Sequence, residues 1–201
     1  MSHLMIDIET AGTRPGSAIL SIGAVIFDES GVTQEWECGI DFASCKAQDF
    51  IVDDLTMAWW ECQSIEAQEA AFGGTTHIAD ALTELFEFCQ DEGVTHFWSH
   101  GATADLVWLT EAALIVEVEP ILSRRNYWAA RDTRTLFELV DVNPKTFMGT
   151  GTAHKAIDDA RAQALAVIEA WRIIARWRAP QVAVKVWPGL NREAVTLNSP
   201  E

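Results

Sequence analysis

The sequence predicts a one-domain α/β protein built on a mixed five-stranded sheet flanked by helices. Three observations carry this expectation. The first 40 residues read as strands joined by short turns. Later strand-like runs alternate with helical stretches, giving the order β-β-β-α-β-α-β-α and hence a mixed sheet. The chain of 201 residues, 49% hydrophobic and 22% charged, is long and apolar enough to bury one full core.

Each element has its own signal. His3–Glu9 alternates as a strand and runs into the turn Gly12-Thr13-Arg14-Pro15-Gly16. Ala18–Phe27 is almost wholly apolar, as expected of a strand buried on both faces. Asp28-Glu29-Ser30-Gly31 makes a hairpin-like turn, and Val32–Ile40 alternates as a third strand. Asp53 and Asp54 cap a short helix through Trp59-Trp60, and residues 64–71 are rich in alanine and glutamate. Ile78, Leu82, Leu85, Phe86 and Cys89 recur at helical spacing and stop at Gly93. Val94–His100 reads as a fourth strand, and Gly101–Val116 as a helix beginning near Thr103 and Asp105. Tyr127–Arg131 reads as a short fifth strand, followed by a helix from Asp132 to Val140 and a Gly/Pro/Thr-rich loop over 141–152. The last helix covers Lys155–Arg178, with an apolar stripe at Ile157, Ala160, Ala164, Val167, Ile168, Trp171 and Ile174. Residues 1–179 therefore form the domain. Residues 180–201 form a tail whose apolar stretch Val182–Trp187 is free to pack on the domain or against a second copy in a homodimer.

Composition narrows the classes. No uninterrupted apolar run is long enough to span a bilayer, and no basic segment precedes an apolar one at the N-terminus, so neither membrane insertion nor secretion is expected. Cys38, Cys45, Cys62 and Cys89 lack CxxC spacing and read as reduced, mostly buried thiols of a cytoplasmic protein. The net charge of −16 argues against broad electrostatic capture of nucleic acid. That charge is uneven: residues 1–120 hold 22 acids and two bases, whereas residues 121–201 hold 12 bases and eight acids. An anionic ligand would find its partners in the last third, among Arg124, Arg125, Arg131, Arg134, Lys155 and Arg161.

The acids carry the chemistry. Residues two apart on a strand share a face, so Asp7 and Glu9 project side by side opposite Ile6 and Ile8. Two carboxylates that close repel unless a proton or cation lies between them, which points to a divalent metal. Asp105 follows the fourth strand at the start of a helix, where it serves equally as a dipole partner. Asp158 and Asp159 open the last helix on opposite flanks of its apolar stripe, so helix geometry does not choose between them. His154 stands at the entrance of that helix.

Together these residues form an ordered set that resembles the DEDDh 3′-to-5′ exonuclease superfamily, on the ribonuclease-H-like fold. The matching residues are Asp7 and Glu9 in Asp-Ile-Glu-Thr, Asp105 in His-Gly-Ala-Thr-Ala-Asp, and His154 with Asp159 in His-Lys-Ala-Ile-Asp-Asp-Ala. The family places its histidine five positions before its last aspartate, which selects Asp159 over Asp158. Ala58-Trp59-Trp60 with Gln63-Ser64, and Arg131-Asp132-Thr133-Arg134-Thr135, look most like the exonuclease VIII-type and phage exonuclease A-type branch. Where many relatives have Phe before the second-motif aspartate, this chain has Ala104, so no stacking role passes to that position.

The resemblance implies hydrolysis of the terminal phosphodiester at the 3′ end of single-stranded RNA or DNA, releasing nucleoside 5′-monophosphates. It implies two divalent cations, Mg²⁺ or Mn²⁺, held by Asp7, Glu9, Asp105 and Asp159, with His154 as general base. Substrate contacts are expected from the backbone of Thr10, Ala11 and Gly12, from stacking on Trp60 or Trp59, and from Arg131 and Arg134 at phosphates. Two rival readings remain at this point. One is an inactive exonuclease-like binding module. The other is a haloacid-dehalogenase-type phosphatase, whose nucleophile motif needs a second aspartate where this chain has Glu9.

Overall fold

The computed structural model describes residues 2–178, and the tail stretch Val182–Trp187 lies outside the described residues. The elements follow as β1 (Ser2–Thr10), β2 (Ile19–Asp28), β3 (Gly31–Gly39), α1 (Phe42–Ala47), α2 (Asp54–Glu61), α3 (Ile65–Phe72), α4 (Ile78–Asp91), β4 (Val94–Ser99), α5 (Asp105–Ile115), β5 (Ala130–Asp132), α6 (Thr133–Val140) and α7 (Ala156–Arg178). The five strands form one sheet in the order β3-β2-β1-β4-β5. β1, β2 and β3 pair antiparallel, whereas β4 and β5 join in parallel, so the sheet is mixed as predicted.

The sheet divides the interior in two. Leu4, Ile6 and Ile8 of β1 face the larger core together with residues from α1, α3, α4 and α5. Met5 faces the other way, with Val25, Phe27 and Trp98, under the apolar stripe of α7 from Ile157 to Ile168. Each large side chain so covered contributes roughly 1.5–3 kcal/mol. β2 is buried at every position but its last, because α7 lies on one face and α1 and α3 on the other. Asp7 and Glu9 continue the Met5 face, so the acids emerge where the covering helix begins.

Helix starts follow side-chain caps. Asp41 Oδ1 accepts from Ala43 N at 3.0 Å, opening α1, a six-residue helix too short for a periodic signal. Asp53 Oδ1 caps α2, accepting from Leu55 N at 2.8 Å. Three boundaries differ from the sequence expectation. The predicted fifth strand over 127–131 begins as a 3₁₀ turn, Tyr127–Ala129, so only Ala130–Asp132 pairs with β4. The helix expected over Gly101–Val116, beginning near Thr103 and Asp105, covers Asp105–Ile115, because Gly101 and Ala104 take non-helical dihedrals. Within the predicted loop 141–152, Pro144–Phe147 forms a 3₁₀ turn capped by Asn143. Cys38, Cys45 and Cys89 are buried free thiols and Cys62 is exposed. No described helix is long and apolar enough to cross a membrane.

Candidate active site

Asp7 and Glu9 occupy the end of the central strand, and α7 crosses above them. The close approach depends on Gly23. Gly23 is the register partner of Asp7 on β2, and a Cβ there would overlap the backbone of Ala156 and Ile157. The missing side chain lets the first turn of α7 settle onto the sheet beside Asp7. One turn further on, Asp159 and Gln163 stand four residues apart on one helix face. Gln163 Nε2 donates to Asp7 Oδ1 at 2.9 Å. Its buried Oε1 has no hydrogen-bond partner among the described residues.

His154 is brought in by the turn before α7. Its backbone is left-handed, with φ 62°, and its amide donates to Asp159 Oδ2 at 2.9 Å. Donor atoms of Glu9, His154 and Asp159 all lie within 4.8 Å of one another. Asp158 turns away: it accepts from Thr152 N at 3.0 Å and pairs with Arg161 at 2.6 Å. Geometry thus separates the two neighbouring aspartates that helix periodicity left open. Asp105 is the first residue of α5, and its carboxylate faces its own amide and that of Ile8 on β1.

The electrostatics are those of an uncompensated anionic site. Burial, then the charges of Asp105, Glu9 and Asp159, hold Asp7 well above the usual carboxylate range. Burial and the charges of Asp159 and Asp105 push Glu9 up to about 8. Burial lifts Asp105 to about 6 against the amides it faces. Burial raises Asp159, opposed by the His154 amide. Carboxylates that resist ionisation together are a fitting seat for divalent cations, whose charge would favour all four ionised forms. Hard oxygen donors and the unpartnered Gln163 Oε1 suit the same ions and their waters.

The expected substrate residues divide. Thr10, Ala11 and Gly12 run directly on from Glu9. Ala11 is fully buried, its N–H given to Ala18 and its carbonyl accepting from Asp53 N, and a side chain at Gly12 would overlap Ser17. Trp60 is 2% exposed and packs in the core, its indole N–H donating to Thr10 O at 3.0 Å. That corrects the expectation of Trp60 as an open stacking surface. The accessible ring is Trp59, 43% exposed, which meets the His154 imidazole edge-on at 4.9 Å. Glu9, Thr10, Gly12, Trp59 and Trp60 line a cavity of about 460 Å³, together with Trp108 of α5. Sequence reasoning passed over Trp108 and Gln163. Their signal was helical spacing, three residues after Asp105 and four after Asp159. Arg134 lies against Gly101, close enough to lower Asp105 by its charge. Arg131 is not brought to the acids: it donates to the carbonyls of Trp128 and Ala130 and lines a separate cavity with His3, His96 and Trp171.

Residues 2–171 match the model of the 3′-5′ exoribonuclease Rv2179c-like domain. The chain belongs to this exonuclease family. No curated sequence matches it. Similar solved structures include the nuclease domain of 3′hExo, a DEDDh family member bound to rAMP. That likeness has a TM-score of 0.56 at 9% identity, covering 85% of this chain and 92% of that one. Escherichia coli exonuclease I with a dT13 oligonucleotide gives 0.64 at 13% identity, over 88% of this chain but only 42% of that one. Exonuclease X with 5′-overhanging duplex DNA gives 0.51 at 16% identity, over 85% and 91%. At such identities the likeness establishes the ribonuclease-H-like fold. The family match names the Rv2179c-like domain and no narrower branch.

Proposed function

We propose that this member of the Rv2179c-like family is a metal-dependent 3′-5′ exonuclease acting on single-stranded RNA and releasing nucleoside 5′-monophosphates. The observation that carries the reading is the convergence of Asp7, Glu9, Asp105 and Asp159, each with a raised pKa, beside His154. Two Mg²⁺ or Mn²⁺ ions bound by the four carboxylates would supply charge stabilisation for the attacking and leaving oxygens. The remaining work falls to the chain itself. The His154 imidazole takes the proton of the attacking water, and its amide keeps Asp159 oriented. Gln163 holds one oxygen of Asp7 and leaves the other free. Trp59 and Trp108 wall the cavity beside Glu9, where the terminal base would rest. Arg134 meets a phosphate. RNA is favoured over DNA by the family description.

The test is a gel time course with 5′-labelled RNA and DNA of one sequence, in Mg²⁺, Mn²⁺ or EDTA. A ladder shortening from the 3′ end, faster on RNA and absent in EDTA, is the expected result. No shortening of either strand in any metal would overturn the reading.

A further inference from the structure

Six basic residues of the last third were expected to meet anions, and the structure separates them. Lys155 pairs with Glu37, and Arg161 with Glu35 and Asp158. Among the described residues, Arg124, Arg125, Arg131 and Arg134 have no carboxylate partner, and Arg124 and Arg134 stand at one place on the surface. On a chain of net charge −16, unneutralised arginines are conspicuous. Arg124 and Arg134 bracket one groove. A second cavity, of about 720 Å³, lies on the flank of α5 opposite Trp108, within the ~300–1,000 Å³ range of small-molecule sites. Its inner end is Ala102 and Leu106, on either side of Asp105, and Arg134 stands over the adjacent Gly101. Its outer end is Arg124 and Tyr127. Between them the wall is mostly apolar and open, with Glu111 its one carboxylate: Val107 is 44% exposed and Tyr127 70%. Trp128, itself 62% exposed, meets Tyr127 edge-on at 5.5 Å. The inner end is held in place, since Asp132 Oδ2 accepts from Ala102 N at 2.9 Å and Oδ1 caps α6.

We infer that this groove seats the nucleotide upstream of the scissile bond on a single-stranded substrate, its base against Tyr127 and its phosphate on Arg124. The inference rests on the exonuclease reading for its direction. Glu9 lines the Trp59 cavity and Leu106, next to Asp105, lines the second, with Trp108 and Leu106 on different flanks of α5, so a strand whose terminal nucleotide occupies the Trp59 side has its next nucleotides on the Arg134 side. Exposed aromatics interleaved with arginine form the surface that binds single strands without reading sequence. The exposed Tyr127 and Trp128 beside Arg124, with Arg134 next to the inner end, favour a nucleic-acid occupant over a protein one, the phosphate lying at Arg124 and away from Glu111 on the same lining.

The double variant Arg124→Ala/Tyr127→Ala tests it, with folding checked by thermal melting. Two quantities are read: kcat/KM on a 12-nucleotide RNA divided by kcat/KM on a dinucleotide, and the Kd of a fluorescent 12-mer in EDTA. The ratio is expected to fall roughly tenfold or more, and Kd to rise by a similar factor with a shallower salt dependence. Wild-type cleavage with an unchanged ratio and Kd overturns the groove and leaves the exonuclease reading standing. Wild-type binding without cleavage of either RNA, weakened tenfold in the variant, supports single-strand binding in the groove but overturns the exonuclease reading and with it the groove's place upstream of a scissile bond. An oligomer of the wild type lost in the variant, with nucleic-acid binding unaltered, assigns the groove to a second copy of the chain and overturns the inference.

Discussion

Asp7 gains its character from its neighbours: Gln163 on one oxygen, three carboxylates around it, and a helix overhead. Asp7→Asn is therefore expected to have two opposite effects. Activity on 5′-labelled RNA should disappear, while the thermal midpoint in EDTA should rise because a mutual repulsion is removed. A drop in the midpoint would show that the carboxylate is held by something other than an absent cation. His154→Ala should lower kcat by ~10²–10⁴-fold, the usual contribution of a general base. Gln163→Ala should raise the Mn²⁺ concentration for half-maximal activity by ~10–100-fold, as loss of an orienting partner does. At this scale the sequence was legible wherever an acid recurs in a known order. Helix periodicity alone could not separate Asp158 from Asp159; the family's five-residue spacing from His154 did, and the structure shows why, with Asp158 taken up by Thr152 and Arg161. Gln163 was hidden, since a neutral amide on a helix face carries no signal until its partner is known.

Strands and long helices were readable because their periodicity is imposed by the core they bury. β2 was recognisable as a doubly covered strand from its unbroken apolar run. The shorter pieces were not: α1 depends on one Asp41 cap, and the 3₁₀ turn ahead of β5 on local hydrogen bonding. Nor does sequence show that Gly23 is a contact. Gly23→Ala forces the first turn of α7 away from the sheet, at a cost of ~1–3 kcal/mol by analogy with overpacked cores. The same shift moves Asp159, His154 and Gln163 relative to β1. Urea unfolding and RNA hydrolysis should therefore deteriorate together. Loss of stability with full activity would show that the helix start can shift without carrying the site with it.

For the molecule as a whole, the acidic site makes stability depend on pH and on cations. Glu9, near 8, and Asp7 have folded values above those of an unfolded chain. Their protonated forms favour folding, so this stability is complete at low pH and is lost as pH rises through the folded values. His3 acts in the other direction: burial, His96 and nearby positive charge lower it to about 4, so its contribution disappears as pH falls from 6.5. Between about pH 7.5 and 8.5 His3 is neutral in both states and the carboxylates dominate. In EDTA the unfolding free energy should fall across that window, and saturating Mn²⁺ should flatten the curve by binding only the folded form. A flat profile in EDTA would mean that the acids share no repulsion.

Asp7 and Gln163 are 156 positions apart, so the first and last of the described elements, β1 and α7, meet at one point. During synthesis a chain emerges at ~5–20 residues per second, and domains form as their parts become available. A nascent chain that has reached α6 already presents Asp7, Glu9 and Asp105, but it has neither Asp159 nor the imidazole. With Asp159 on α7 and His154 in the turn before it, the set of four carboxylates cannot come together until α7 has been made.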